Sequence, residues 1–315
     1  MAANKYHQEI PGNPSTATSS RKKLNDRSNG KPLKVLSDED WEFWIQNGYV
    51  IIKHAVPRDY TGRLADLLWE FEEKDPNDKS TWYPPGGVEM KMKELTNSGM
   101  VEIYHHQYLW DIRQYPKVYD TFTDIWGIDE LWVTIDRANL NLPVQPDFEF
   151  EGFIHWDYDP ETRPQNVQGL VALNDQMDPK QGGFQCVPEL YRCYDTWKKD
   201  QPEDRDRFKP DITGFDLTKV LLEEGDLLIF NSTLPHGIRP NHSENKVRMA
   251  QYISMMPAEE DNEEMRQWRI KSWKERLPPE GFAFPGDPRK WEQTKYPVAE
   301  LSPLGKKLLG LDRWE

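Results

Sequence analysis

From residue 131 to 257 the chain passes through five short apolar or alternating runs: LWVTIDRANLNL, VQGLVALND, GGFQCVP, KVLLEEGDLLIF and RMAQYISMMP. Glycine, proline and Asn-Asp breaks separate them. That texture predicts an antiparallel sandwich or jelly roll, because strands joined by tight turns need those breakers at those intervals. The fold class expected is mainly β with flanking α.

Helical signals lie on either side. Ser37 precedes DEDWEFWIQNG as an N-cap with acids in the first turn, where they complement the helix dipole, and Gly48 supplies the stop. YVIIKHAV then reads as a buried strand ended by Pro57. In DYTGRLADLLWEFEEK, Leu64, Leu67, Leu68 and Phe71 recur at helical spacing, so this helix is expected to back a sheet. Residues 1–33, rich in Ser, Asn, Lys and Pro, cannot bury enough surface to offset ordering and read as a disordered tail. Residues 34–257 form the expected catalytic domain. Residues 258–315 return to helix, as an extension packed on that same domain. The segment from 74 to 100 is too long for a passive connection and reads as a lid or binding loop, with Trp82 and Tyr83 facing substrate.

Charge narrows the partners. Lys plus Arg number 40 against 54 Asp plus Glu, a net −14, which disfavours nucleic acid and anionic membranes. The only cysteines, Cys186 and Cys193, offer neither a disulfide framework nor zinc-finger spacing. No run approaches a membrane span and the N-terminal stretch lacks a signal-peptide core, so a cytoplasmic location is expected.

The chemistry concentrates in FIHWDYDP, residues 153–160. If this stretch is extended, His155 and Asp157 project from one face and Trp156 from the other. A third ligand is available in His236, 81 residues on, directly after the strand announced by Glu-Gly-Asp. In a jelly roll two strands distant in sequence can lie side by side. Two imidazoles and one carboxylate on one face of a metal leave the opposite positions open, which suits Fe(II) binding a cosubstrate and O2. A 2-oxo acid would supply electrons, and Arg248, 12 residues past His236, could hold its distal carboxylate through a bidentate guanidinium.

The run EEGDLLIFNSTLPHGIRPNHSENKVRMAQYISM, with IHWDYD and GGFQCVPELYR upstream, resembles the phytanoyl-CoA dioxygenase family of Fe(II)/2-oxoglutarate-dependent oxygenases. The resemblance covers roughly residues 37–257. It implies a double-stranded β-helix (jelly-roll, cupin-like) core, iron ligands His155, Asp157 and His236, and a 2-oxoglutarate anchor at Arg248. IDRANLNLP resembles the strand of family members whose Arg-x-Asn pair reaches the cosubstrate, which adds Arg137 and Asn139. Two departures stand out: Ile238 occupies a position often Ser, and PELYR replaces Pro-Gly-Ser-His after the Gly-Gly strand. Retention of Asp157 speaks against halogenation, since related halogenases carry a small residue there.

Weaker candidates for the substrate pocket are Tyr104 and His106, read as neighbours on one face of a strand, Gln168 on a strand facing the metal, and Trp82. The activity implied is hydroxylation of an unactivated C–H bond in a small-molecule metabolite, with release of succinate and CO2. Desaturation, cyclisation or demethylation at the same site is the alternative outcome, and an inactive jelly-roll binding protein is the alternative class.

Overall fold

The computed structural model describes residues 22–83, 99–145, 152–280 and 284–314. Helix α1 (Asp38–Asn47) begins on a reciprocal cap: Ser37 Oγ accepts from the Asp40 N–H and the Asp40 carboxylate accepts from the Ser37 N–H, each at 3.0 Å. Gly48 ends it at φ 72°, a left-handed conformation that costs glycine little. The chain then enters β1 (Tyr49–Ile52) and, past Pro57, helix α2 (Arg58–Phe71).

Ten further strands follow β1 among the described residues: β2 (Met100–Val101), β3 (Leu131–Val133), β4 (Ala138–Asn141), β5 (Val167–Ala172), β6 (Gln181–Cys186), β7 (Thr218–Lys219), β8 (Leu227–Asn231), β9 (His236–Asn241), β10 (Arg248–Tyr252) and β11 (Met255–Pro257). A six-stranded antiparallel sheet runs β1-β8-β5-β10-β4-β2, and a three-stranded sheet runs β7-β6-β9. From β5 onward the chain alternates between them: β5 in the large sheet, β6 and β7 in the small, β8 large, β9 small, β10 large. This back-and-forth is the jelly roll.

Two apolar layers hold it. Between the sheets, Leu170 and Ala172 of β5, Leu228 and Phe230 of β8 and Ala250 of β10 pack against Phe184 and Cys186 of β6. The other face of the large sheet, with Val171, Ile229 and Met249, packs on Leu64, Leu68 and Phe71 of α2 and on helices α3 (Gln107–Arg113) and α4 (Pro116–Trp126). Each such side chain, when fully buried, contributes about 1.5–3 kcal/mol. Trp44 and Trp126 are buried in this helical layer.

Two parts of the chain differ in extent from the sequence expectation. Residues 1–21 of the expected tail lie outside the described residues, but 24–36 are tied to the body. The Asn25 side chain accepts from the Trp44 indole at 2.7 Å, and both Asp124 carboxylate oxygens collect backbone N–H groups of Lys34, Val35 and Leu36. Such polar contacts with distant residues carry no apolar periodicity, so composition misses them. Of the 74–100 segment, 84–98 lie outside the described residues.

Helix α5 (Pro188–Trp197) follows β6, and beyond β11 the chain forms α6 (Glu263–Glu275), α7 (Trp291–Thr294) and α8 (Pro303–Leu309). Leu308 and Leu309 are buried in the same cluster as Leu64. Buried Arg269 donates to the carbonyls of Val133, Leu308 and Leu309 at 2.5, 3.1 and 3.0 Å. Among the described residues no helix is long and apolar enough to cross a membrane.

Candidate metal centre

His236 owes its position to the crossing from β8 to β9. The Asn231 side-chain oxygen accepts from the Thr233 N–H at 2.9 Å, and the Asn231 carbonyl from the Leu234 N–H at 2.9 Å. The tight turn places the Leu234 carbonyl 2.9 Å from His236 Nδ1. A carbonyl can only accept, so Nδ1 carries the proton and Nε2 keeps its lone pair. That lone pair faces Asp157, whose Oδ2 lies 3.4 Å away.

His155 reaches the same point from the edge of the small sheet. It forms a single bridge with His236, each backbone N–H donating to the other's carbonyl, at 2.8 and 3.0 Å. The approach depends on Gly237, where a Cβ would stand 1.8 Å from the Phe153 carbonyl oxygen. Trp156 turns the other way into a cluster with Val187, Leu190 and Tyr194, which pins the segment and leaves His155 and Asp157 together. His155 Nε2 is 3.1 Å from Asp157 Oδ1, and the two imidazole rings lie 4.7 Å apart.

One donor atom from each of His155, Asp157 and His236 lies within 4.8 Å of the others. Burial opposes a charge on Asp157, but the charge and hydrogen bonds of the His155 ring, and then of the His236 ring, in their protonated form outweigh it and hold its carboxyl well below the usual range. Asp157 retains 28% of its side-chain exposure against 7% for His236, so the cluster opens on the carboxylate side. Phe184 and Phe230 wall the His236 ring at 5.8 and 4.5 Å. Two neutral imidazole nitrogens and one carboxylate form a donor set that suits Fe(II).

A second His-acid grouping, His54, Glu223 and Asp226, is a different matter. Lys53 Nζ sits 2.8 Å from Glu223 and 2.7 Å from Asp226, so an ammonium already balances those carboxylates.

On β10 the Arg248 guanidinium is fully buried. Nη1 donates to Asn139 Oδ1 at 2.7 Å and to the Tyr252 hydroxyl at 3.3 Å, and Nε reaches Gln176 Oε1 at 3.4 Å. All three partners are neutral, and among the described residues no carboxylate pairs with it. Its Nη2 is buried with no hydrogen-bond partner there. A buried cation without a counter-charge is costly, and an anion donated by a ligand would relieve that cost. Sequence reasoning did not single out Tyr252 or Gln176; Tyr252 stands four residues along the same strand face, a relation that two-residue alternation contains.

Residues 44–250 match the phytanoyl-CoA dioxygenase (PhyH) family. The chain belongs to that family. As a member it is an oxidoreductase of the iron- and 2-oxoglutarate-dependent oxygenase class. Among its relatives, "Ava biosynthesis cluster protein O" of Aspergillus versicolor is 26% identical over 247 residues, covering 69% of this chain and 77% of that protein. A Dictyostelium discoideum protein named for the same family is 24% identical over 263 residues, 69% of this chain and 74% of its own. The crystal structure of GlcNAc Inducible Gene 2 from Candida albicans superposes with a TM-score of 0.64 at 14% identity, covering 90% of this chain and 78% of that one. It shares the fold.

Placed against this PhyH-family site, the remaining candidates divide. Asn139 and Gln168 are brought to it, the first on Arg248 and the second on Asp157, whose Oδ2 accepts from Gln168 Nε2. Arg137 is otherwise engaged: its Nη1 donates to Glu102 at 2.6 Å, and its guanidinium lies 4.5 Å from the Phe284 ring. The Tyr104 hydroxyl bonds the same Glu102, which also accepts from the Gly286 N–H at 3.0 Å. Glu102 thus ties two candidates to the C-terminal segment.

His106 is not on a strand beside Tyr104. It caps α3, its Nδ1 accepting from the Tyr108 N–H at 3.2 Å, and its ring meets Tyr108 and Tyr296 edge-on. Trp82 is buried, donates to the Asp75 carbonyl at 2.8 Å and packs on Trp69.

Proposed function

We propose that this chain uses His155, Asp157 and His236 to hold Fe(II) and Arg248 with Asn139 to hold 2-oxoglutarate, and that it hydroxylates an unactivated C–H bond of a small metabolite. One observation carries the reading. The buried Arg248, without a counter-charge among the described residues, lies in the same jelly roll as the His155, Asp157 and His236 cluster. When bound, iron and 2-oxoglutarate supply the oxidising chemistry, with O2 consumed and succinate and CO2 released.

The protein's own part is positioning and exclusion. The Leu234 carbonyl fixes the tautomer of His236, and the ionised Asp157 offsets metal charge. Asn139, Tyr252 and Gln176 orient the Arg248 guanidinium without neutralising it. Phe184 and Phe230 keep water from the His236 side. A non-catalytic binding protein would hold an anion at the same buried cation without releasing succinate, and turnover separates the two readings.

The test is Fe(II) stoichiometry together with substrate-free succinate release from 2-oxoglutarate, in wild type and Asp157→Ala. The wild type is expected to bind one iron and turn over slowly, and the variant to lose most iron affinity and all turnover. Wild-type turnover in Asp157→Ala with iron present would sink the assignment. A screen of metabolite classes for stimulated succinate release then identifies the substrate.

A further inference from the structure

The metal-facing carboxylate does not stand alone. Gln168, in the second position of β5, donates from Nε2 to Asp157 Oδ2 at 2.5 Å. β5 is a central strand, paired on one side with β8 and on the other with β10. Its register sets Gln168 opposite Phe230, the ring beside His236. The amide is therefore carried on a strand hydrogen-bonded on both sides, whereas Asp157 comes from a segment joined to the sheet by one bridge at His155.

We infer that Gln168 is a positioning residue for the metal-binding carboxylate. An amide N–H to an ionised oxygen is a charge-assisted bond, stronger than a neutral one and strongly directional. Asp157 presents Oδ1 toward His155 Nε2 and Oδ2 toward His236 Nε2. With Oδ2 held by Gln168, the carboxylate cannot rotate freely about its last bond. One oxygen is committed to the protein, and the other is left to the ion. Single-oxygen ligation keeps coordination positions open for a chelating cosubstrate and a gas molecule, which a two-oxygen grip would occupy. Gln168 thus acts through Asp157, and the substrate-contact role expected from sequence is replaced by this one.

The inference rests on the metal assignment above, and the test separates the two. The variants are Gln168→Met, which keeps an unbranched side chain of similar length but removes the donor, and Gln168→Leu as a second shape. Co(II) serves as the probe, titrated into metal-free protein and followed by its visible ligand-field spectrum, with Asp157→Ala alongside. Metal-free melting temperature is measured for each. The expected result is a Co(II) affinity reduced about 10- to 100-fold in both Gln168 variants, a changed spectrum at saturation, and metal-free melting close to wild type. Co(II) affinity within twofold of wild type and an unchanged spectrum in Gln168→Met would overturn the role, as would a loss that tracks a lowered metal-free melting temperature in both variants. If Asp157→Ala itself binds Co(II) as wild type does, the metal assignment fails, and the inference with it.

Discussion

Arg248→Ala tests the cosubstrate reading at its most exposed point. The guanidinium is fully buried, holds three neutral partners, and leaves Nη2 unpartnered among the described residues. If a 2-oxoglutarate carboxylate completes this set, the lost contact is a charge-assisted, desolvated one, worth about 2–5 kcal/mol on truncation. That corresponds to a rise of roughly 30-fold to several thousand-fold in the apparent cosubstrate constant. Arg248→Lys should recover only part of it, because an ammonium keeps the charge but not the planar fork. The assay is a 2-oxoglutarate titration of substrate-free succinate release, with iron content measured in each variant. Iron binding should be nearly unchanged, since Arg248 touches none of the three ligand side chains. The same geometry makes a second demand: Arg248→Met, which removes a buried charge without a counter-charge, should leave the metal-free protein at least as stable as wild type, yet abolish its stabilisation by added 2-oxoglutarate. An unchanged midpoint in Arg248→Ala, or undiminished thermal stabilisation by 2-oxoglutarate in Arg248→Met, would refute the reasoning and move attention to Arg239. That guanidinium is also buried, and burial together with the nearby Arg248 lowers it to about 10.

Two further perturbations probe different parts of the molecule. Gly237→Ala would drive a methyl group into the Phe153 carbonyl, 1.8 Å from the ideal Cβ; metal affinity should drop by at least tenfold although no ligand is altered, and wild-type affinity would refute the close approach of the His155 segment. Glu292 concerns the C-terminal segment. Its carboxylate is buried under the Tyr104 and His105 backbone N–H groups, at 2.7 and 2.6 Å, and burial raises its carboxyl from 4.5 to about 7. The folded form therefore holds the proton more tightly than the unfolded one. The stability this contributes is full below about pH 4.5 and lost as pH rises through about 7. In Glu292→Gln that dependence vanishes, so the stability of the variant relative to wild type should rise by about 3 kcal/mol between pH 4.5 and 8. Urea unfolding at a series of pH values measures it, and a constant difference would refute it.

What could be read from sequence follows the range of the forces involved. The Ser37 cap, the Gly48 stop and the helical spacing of Leu64, Leu67, Leu68 and Phe71 are local, and each is found where its pattern lies. The strands of 131–257 are legible because turn residues bracket them. His106 was misread for an equally local reason: YHHQ alternates like a strand, but the His106 ring accepts from the Tyr108 N–H and opens α3 instead. An aromatic such as Trp82 in a Pro- and Gly-rich stretch looks exposed in sequence, while Trp69 and the Asp75 carbonyl bury it. Arg137 illustrates the non-local limit. Its partner Glu102 is 35 residues away, and the Phe284 and Gly286 that complete the cluster come from the C-terminal extension. No spacing rule links those three stretches.

The same distinction explains why the clustering of His155, Asp157 and His236 was readable. His155 and Asp157 are two residues apart, and His236 and Arg248 sit at the starts of consecutive strands, β9 and β10. Because the chain crosses from one sheet to the other between them, His236 belongs to the small sheet and Arg248 to the large. A crossing fold thereby places His236 and Arg248 on facing walls of one barrel although they stand only 12 positions apart in sequence. The His155 segment then needs a single contact to join, and Gly237 makes that contact possible by lacking a side chain. The chemistry is legible where topology converts short spacings into facing walls; the Glu102, Arg137 and Gly286 cluster depends on long-range docking, and only coordinates reveal it.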